Sequence, residues 1–170
     1  MRKPRVLQAD ARYHVVAKAN HRELLLDDPT KELFLATVAR AKTKFRFSVE
    51  NFTVLGNQFH LIMHVPNGSS LSEIMKWILG VFAMKWNRIH ENWGHFWGER
   101  FFSRIIQDLA DYAASFSYVD HSAVRASLAA SPSEWKYGGF WHHRRSWRVV
   151  LDPLPEWAVG IVWRRSSRST

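Results

Sequence analysis

Up to Ala126 the hydrophobic pattern switches repeatedly between a period of two and the helical period, and the order of switches leaves few folds open. "ARYHVVAKAN" (Ala11–Asn20) is β-branched at Val15 and Val16 and predicts a first strand. "DDPTKELFLATVARAKTKF" then takes helical spacing, with Asp28 expected as N-cap and Pro29 in the first position. Leu33, Phe34, Thr37, Val38 and Ala41 form its inward stripe. "FRFSVENFTVLGNQFHLIMHV" alternates again through Phe45, Phe47 and Val49, with a bend expected around Asn51 and a further strand over Val54–Val65. Gly56-Asn57 is expected to introduce a bulge just before Gln58.

"NGSSLSEIMKWILGVFAMKWNRIHENWG" is the clearest helix. Ser70 and Glu73 make a capping box, and Leu71, Ile74, Met75, Ile78, Leu79, Phe82, Trp86 and Ile89 recur at helical spacing. "GERFFSRIIQ" (Gly98–Gln107) predicts a last strand, and "DLADYAASFSYVDHSAVRA" a third helix capped by Asp108. The resulting order, β-α-β-β-α-β-α, implies an α+β fold of ferredoxin-like, split βαβ type. Its antiparallel sheet carries helices mainly on one face, plus the third helix. The other face stays free for the polar residues of "QFHLIMH", namely Gln58, His60 and His64. Residues 1–131 are expected to form this domain, and 132–170 a basic, Trp-rich C-terminal extension.

Composition narrows the function classes. The 170 residues contain no cysteine, which excludes disulfides and thiolate metal sites and favours a cytoplasmic setting. The longest apolar helical stretch, "WILGVFAMKW", is about half of the roughly 20 residues that a membrane-spanning helix needs, so no membrane partner is expected. Lys and Arg number 24 against 15 Asp and Glu, a net charge of +9. That surplus, interleaved with aromatics, suits a phosphate polyanion with unpaired bases.

Two constellations could carry chemistry. Gln58 and His60 are two apart on a strand, so their side chains share a face and could share one ion. On the residues alone, a polar sheet surface is the simpler account. In the third helix the apolar stripe runs through Leu109, Tyr112, Ala113, Phe116, Val119 and Ala123. At about 100° per residue Tyr118 lies roughly 180° from Leu109, near Ser122 and Arg125. It reads as an accessible phenol beside a cation, and a phenol can serve as a covalent nucleophile. A tyrosine lying along the helix edge is the simpler account here as well.

Four segments, in order, resemble the single-tyrosine HUH transposases of bacterial insertion sequences, especially the REP-associated tyrosine transposases. "YHVVAKANHR" is similar to that family's opening strand, and "VLGNQFHLIMHV" stands where it carries its His-x-His metal motif. "GHFWGERFFSRII" resembles its Gly-x-x-Trp-x-x-Arg-Phe segment, and "YVDHSAVRASL" the motif that holds its nucleophile. The resemblance implies a strand transferase acting on single-stranded or hairpin DNA, through a 5′-phosphotyrosine link and with Mg2+ or Mn2+. It implies Tyr118 as nucleophile and His60 as metal ligand, and is compatible with a homodimer.

The chain also departs from that pattern. Gln58 replaces the first histidine of the pair, and Ser122 stands where an amide ligand is usual, leaving His121 or His64 to compensate. His14, Lys18, Arg22, Arg100, Arg104, Arg125, Arg144 and Arg145 are the candidate DNA contacts. Lys18 takes the place of the family's arginine, keeping the charge without bidentate phosphate binding. Trp97, Phe101 and Phe102 are expected in the core. Loss of two ligand positions also supports an alternative, a hairpin DNA- or RNA-binding module with weakened chemistry.

Overall fold

The computed structural model describes residues 4, 6–20 and 27–166. β1 (Ala11–Lys18), α1 (Asp28–Lys44), β2 (Ser48–Val54), β3 (Gln58–Val65), α2 (Leu71–Ile89) and β4 (Phe102–Ile105) follow one another. The strands form one antiparallel sheet in the order β2-β3-β1-β4, the ferredoxin-like arrangement that the sequence implies. α3 (Leu109–Asp120), α4 (Ser122–Arg125), a 3-10 turn (Pro132–Glu134), α5 (Gly139–Arg144) and α6 (Glu156–Ser166) complete the chain.

Alternation in the strands sorts two layers. Tyr13, Val15 and Ala17 of β1 and Phe59, Leu61 and Met63 of β3 face α1 and α2, meeting Phe34, Val38, Ile74, Ile78 and Phe82 in the main core. The opposite parity puts Ile62 on the second face, where Tyr112, Phe116 and Val119 of α3 and Ala158 and Val162 of α6 cover it. The second face is therefore only partly free: α3 and α6 close over Ile62 and leave the His14, Gln58 and His60 end open.

Several boundaries differ from the sequence reading. Asp27, not Asp28, caps α1, accepting from the Thr30 N–H at 2.8 Å. β1 ends at Lys18 rather than Asn20. β2 runs straight through Asn51, and the chain turns at Leu55–Asn57, where the Leu55 N–H meets the Gln58 carbonyl at 2.8 Å. Gly56-Asn57 is thus the hairpin turn, and the bulge falls between Val49 and Asn51. The last strand is shorter than Gly98–Gln107. Between the pairs Val16–Phe102 and Ala19–Trp97 one side advances three residues and the other five, so the chain loops out around Gly98–Arg100. Trp97 is drawn there by ring contacts with Phe34, Phe59, Phe82 and Phe96.

The third helix breaks at His121 into α3 and α4, and Leu109 at its start is exposed rather than packed. Ile89 at the end of α2 is exposed too. The segment between Ser131 and Asp152 packs against the sheet. Tyr137, Val150 and Leu151 join the main core, and the Val54 N–H donates to the Tyr137 carbonyl at 2.8 Å along the outer edge of β2. Asp152 pairs with Lys42 at 2.7 Å and accepts from the Val49 N–H. No helix among the described residues is long and apolar enough to cross a membrane.

Candidate active site

Strand pairing assembles the site. Val16 lies between His60 and Phe102, His14 between Ile62 and Arg104, and Lys18 beside Gln58. All have the same parity, so their side chains rise from the second face. There, apart from Ile62, which α3 and α6 cover, they line a cleft of about 1030 Å3 together with Asn20, Glu99, Arg100, Asp111, Ser115 and Tyr118. Tyr118 enters from above, on α3, with its ring half exposed.

His14 and His60 touch. His14 Nε2 is 2.9 Å from His60 Nδ1, a hydrogen bond in which one ring donates and the other accepts. Burial drives the His14 pKa down to about 4, helped by the Arg104 charge and opposed by Asp111. Burial likewise drives His60 down to about 3, with His14, Arg125 and Lys18 adding to the effect. Both imidazoles are therefore neutral near pH 7, which is the form that coordinates metals or accepts protons. The Tyr118 ring stands edge-on to both, with centroids 5.9 Å from His14 and 5.8 Å from His60.

The break at His121 places the cation beside the phenol. The Arg125 guanidinium carbon lies 3.9 Å from the Tyr118 ring centre, and the same group donates to the Tyr118 carbonyl and to the Ser122 hydroxyl. Ser122 is buried; its hydroxyl donates its proton to the Tyr118 carbonyl at 2.8 Å and accepts from the Arg125 guanidinium at 2.9 Å. His121 is exposed, with Nδ1 2.9 Å from the Ser117 carbonyl, and does not line the cleft. His64 sits at the far end of β3, 2.7 Å from Asp10. None of Ser122, His121 and His64 lines the cleft with His60.

The basic residues separate by place. Lys18 and Arg100 are exposed along the cleft. Arg104 also lines it, but its guanidinium is held by both Asp111 oxygens at 2.8 Å and by the Ser115 hydroxyl at 2.7 Å. It clamps α3 onto β4. Burial tends to raise the Asp111 pKa, but the Gln107 N–H and Arg104 outweigh it, and the net direction is down. Arg144 and Arg145 lie at the end of α5, which packs against β2 at the opposite edge of the sheet; Arg145 stacks on Trp141 at 4.0 Å. Arg22 falls outside the described residues.

One residue that sequence reasoning put in the core belongs to the cleft. Phe101 is buried, but Phe102 is 63% exposed between Arg100 and Arg104. The signal was available, because Phe102 shares its parity with those two arginines. A second network had no sequence signal. Buried Glu50 at the β2 bulge takes a bidentate Arg12 and the Tyr112 hydroxyl at 3.0 Å, which docks α3 from the β2 side.

Two side chains of types that can ligate a divalent cation, an imidazole and an amide, stand at the open end of the strands. His60 and Gln58 share one face, and His14 holds the second ring nitrogen of His60, the support that ligating imidazoles ordinarily have. The described residues include no cluster of three His, Asp or Glu able to hold a metal, so the set rests on imidazole and amide donors.

Comparison with known proteins gives a family and a fold. The family profile described as IS200-like transposase matches residues 8–122, a span that contains His14, Gln58, His60 and Tyr118. Among solved structures, a REP-associated tyrosine transposase bound to a REP hairpin is similar over 89% of this chain and 88% of its own, with TM-score 0.74 and 18% identity. A chain from Deinococcus radiodurans R1 described as a transposase is similar over 71% of this chain and 97% of its own, with TM-score 0.50 and 15% identity. No curated protein sequence matches the chain.

Proposed function

The chain belongs to the IS200-like transposase family, and from that premise we propose that it cleaves and rejoins single-stranded or hairpin DNA through Tyr118. The observation that carries this reading is the convergence of a half-exposed phenol, two neutral imidazoles and an arginine at one end of a basic cleft. Tyr118 Oη attacks the scissile phosphorus while the bond to the 3′ oxygen breaks, leaving a 5′-phosphotyrosine and a 3′-OH. The phenol proton passes to water, and a proton returns to the leaving 3′ oxygen. Arg125, against the ring, favours the phenolate as it forms. Attack by another 3′-OH reverses the bonding and joins strands without a nucleotide cofactor.

His60 and Gln58 would hold a Mg2+ or Mn2+ ion, with His14 positioning His60 by fixing its tautomer. Such an ion supplies charge to polarise the scissile phosphate. Lys18 and Arg100 face the DNA backbone, and the hairpin carried by the similar structure makes hairpin DNA the first substrate to try. Arg144 and Arg145 would meet only DNA that extends past the β2 edge.

The test is incubation with single-stranded DNA containing a hairpin, with Mg2+ or Mn2+, resolved on a denaturing gel. A covalent protein–DNA adduct is expected, and Tyr118→Phe is expected to abolish it while hairpin binding persists. A second reading, a binding module with weakened chemistry, is favoured by two observations: the Ser122 hydroxyl donates to the Tyr118 carbonyl, and Gln58 is no imidazole. Binding without an adduct, together with an adduct once Gln58→His is introduced, would support it.

A further inference from the structure

We propose that Phe102 is a stacking platform for an unpaired nucleobase next to the scissile phosphate; this rests on the DNA-strand-transfer reading. Phe102 is 63% exposed, although it follows the buried Phe101 and sits in the sheet. Among the described residues no aromatic ring packs against it. Exposing a phenyl ring on a regular strand forgoes burial that Phe101 obtains one position earlier, so stability does not account for its placement.

Its surroundings specify the occupant. Phe102 lines the cleft with His60 and Tyr118, and also a second hollow of about 540 Å3 along the outer edge of β4. It stands on the rim between them, where the exposed Arg100 lines both hollows with it; Glu99 lines both as well, and Arg104 is held by Asp111. The cleft side adds Lys18, and the two exposed cations Lys18 and Arg100 about the ring suit a polymer that carries negative charge. A flat apolar ring flanked by cations suits a strand whose backbone meets the cations while a base lies on the ring. Double-stranded DNA keeps its base faces stacked internally and cannot use such a platform. The occupant is therefore a single-stranded segment that leaves the cleft across β4. Stacking tolerates any base, so Phe102 supplies position rather than sequence selectivity.

The experiment uses the full chain and a labelled hairpin with a single-stranded flank, and compares wild type, Phe102→Ala and Phe102→Trp. Phe102→Ala is expected to weaken binding about tenfold, with an unchanged melting temperature because the ring is exposed. Phe102→Trp should bind as well as wild type or better. An abasic site is then walked through the flank. At one position it should cost wild type about the same factor and cost Phe102→Ala nothing further. Equal affinities of wild type and Phe102→Ala, or equal sensitivity of both to every abasic site, would overturn the proposal. Failure of wild type to bind any single-stranded flank would overturn the transposase reading itself, a result distinct from the previous two.

Discussion

The guanidinium of Arg125 lies 3.9 Å from the centre of the Tyr118 ring and also donates to the Tyr118 carbonyl at 2.6 Å. One side chain thus fixes both the backbone turn after Tyr118 and the electrostatics of its phenol. Arg125→Lys keeps the charge but loses the planar stack, and Arg125→Ala loses both. A cation over an aromatic face is worth about 0.5–1 kcal/mol at an exposed site. Adduct formation should therefore slow roughly two- to fivefold in Arg125→Ala and less in Arg125→Lys, measured as single-turnover rates on denaturing gels.

His60 and His14 should separate as ligand and positioner. His60→Ala is expected to abolish Mn2+ binding measured by titration calorimetry. His14→Ala should weaken it by about 10–100-fold, the usual cost of removing the partner of a ligating imidazole. His14→Gln, which can still bond the second His60 nitrogen, should recover part of that loss. Equal Mn2+ affinity in wild type and His14→Ala would remove His14 from this role.

Asp120 links the site to pH. Burial pushes its carboxyl up to about 7, and the Asn51 amide that donates to it at 2.8 Å only partly offsets this. A carboxyl whose pKa is raised on folding stabilises below its unfolded value of 3.8, and loses that contribution as pH rises through about 7. The buried histidines act in the opposite sense over this range, so the Asp120 contribution is read as a difference: wild type should lose stability relative to Asp120→Asn as pH goes from about 5 to 7. Asp120→Asn keeps an acceptor for Asn51 and removes this titration, so the gap between the two melting temperatures should change with pH and level off above about 7. Thermal melts at several pH values decide it.

The segment after Ser131 should be inseparable from the fold. Tyr137, Val150 and Leu151 are each at most 5% exposed, and each such burial contributes roughly 1.5–3 kcal/mol against a total stability of about 5–15 kcal/mol. A chain ending at residue 131 is expected to lose its cooperative thermal transition. Gly139→Ala probes the same seam: a Cβ there would overlap the Asn51 amide oxygen, which also accepts from the Phe52 N–H. It should cost about 1–3 kcal/mol. Gly80→Ala, where a Cβ would meet nothing within 4 Å, should instead stabilise α2 by about 0.5–1 kcal/mol. Urea melts of the two variants compare them.

Much of the fold was legible because periodicity is a local property. The α2 pattern from Leu71 to Trp86, capped by Ser70, is written in adjacent residues, and so is the alternation of β1 and β3. Tyr118 read as off-stripe from spacing alone, and it is exposed beside Arg125 as that spacing implies. The boundaries were less legible wherever a distant contact sets them. The hollow under Phe34 and Phe82 captures Trp97 and shortens β4, while the carbonyls that Ser122 and His121 face end α3 early.

By itself the sequence determined the order of elements, the parity that sends Gln58, His60 and His64 to one face, and the basic surplus that calls for a polyanion. Only the tertiary structure decided which of those residues meet. His14 reaches His60 across a strand pairing of residues 46 positions apart, and Arg104 is spent on Asp111 while Phe102 beside it stays exposed. The physical reason is register. Side-chain direction follows from a residue's own neighbours, but its partners depend on how separate strands and helices align, and no local pattern encodes that alignment.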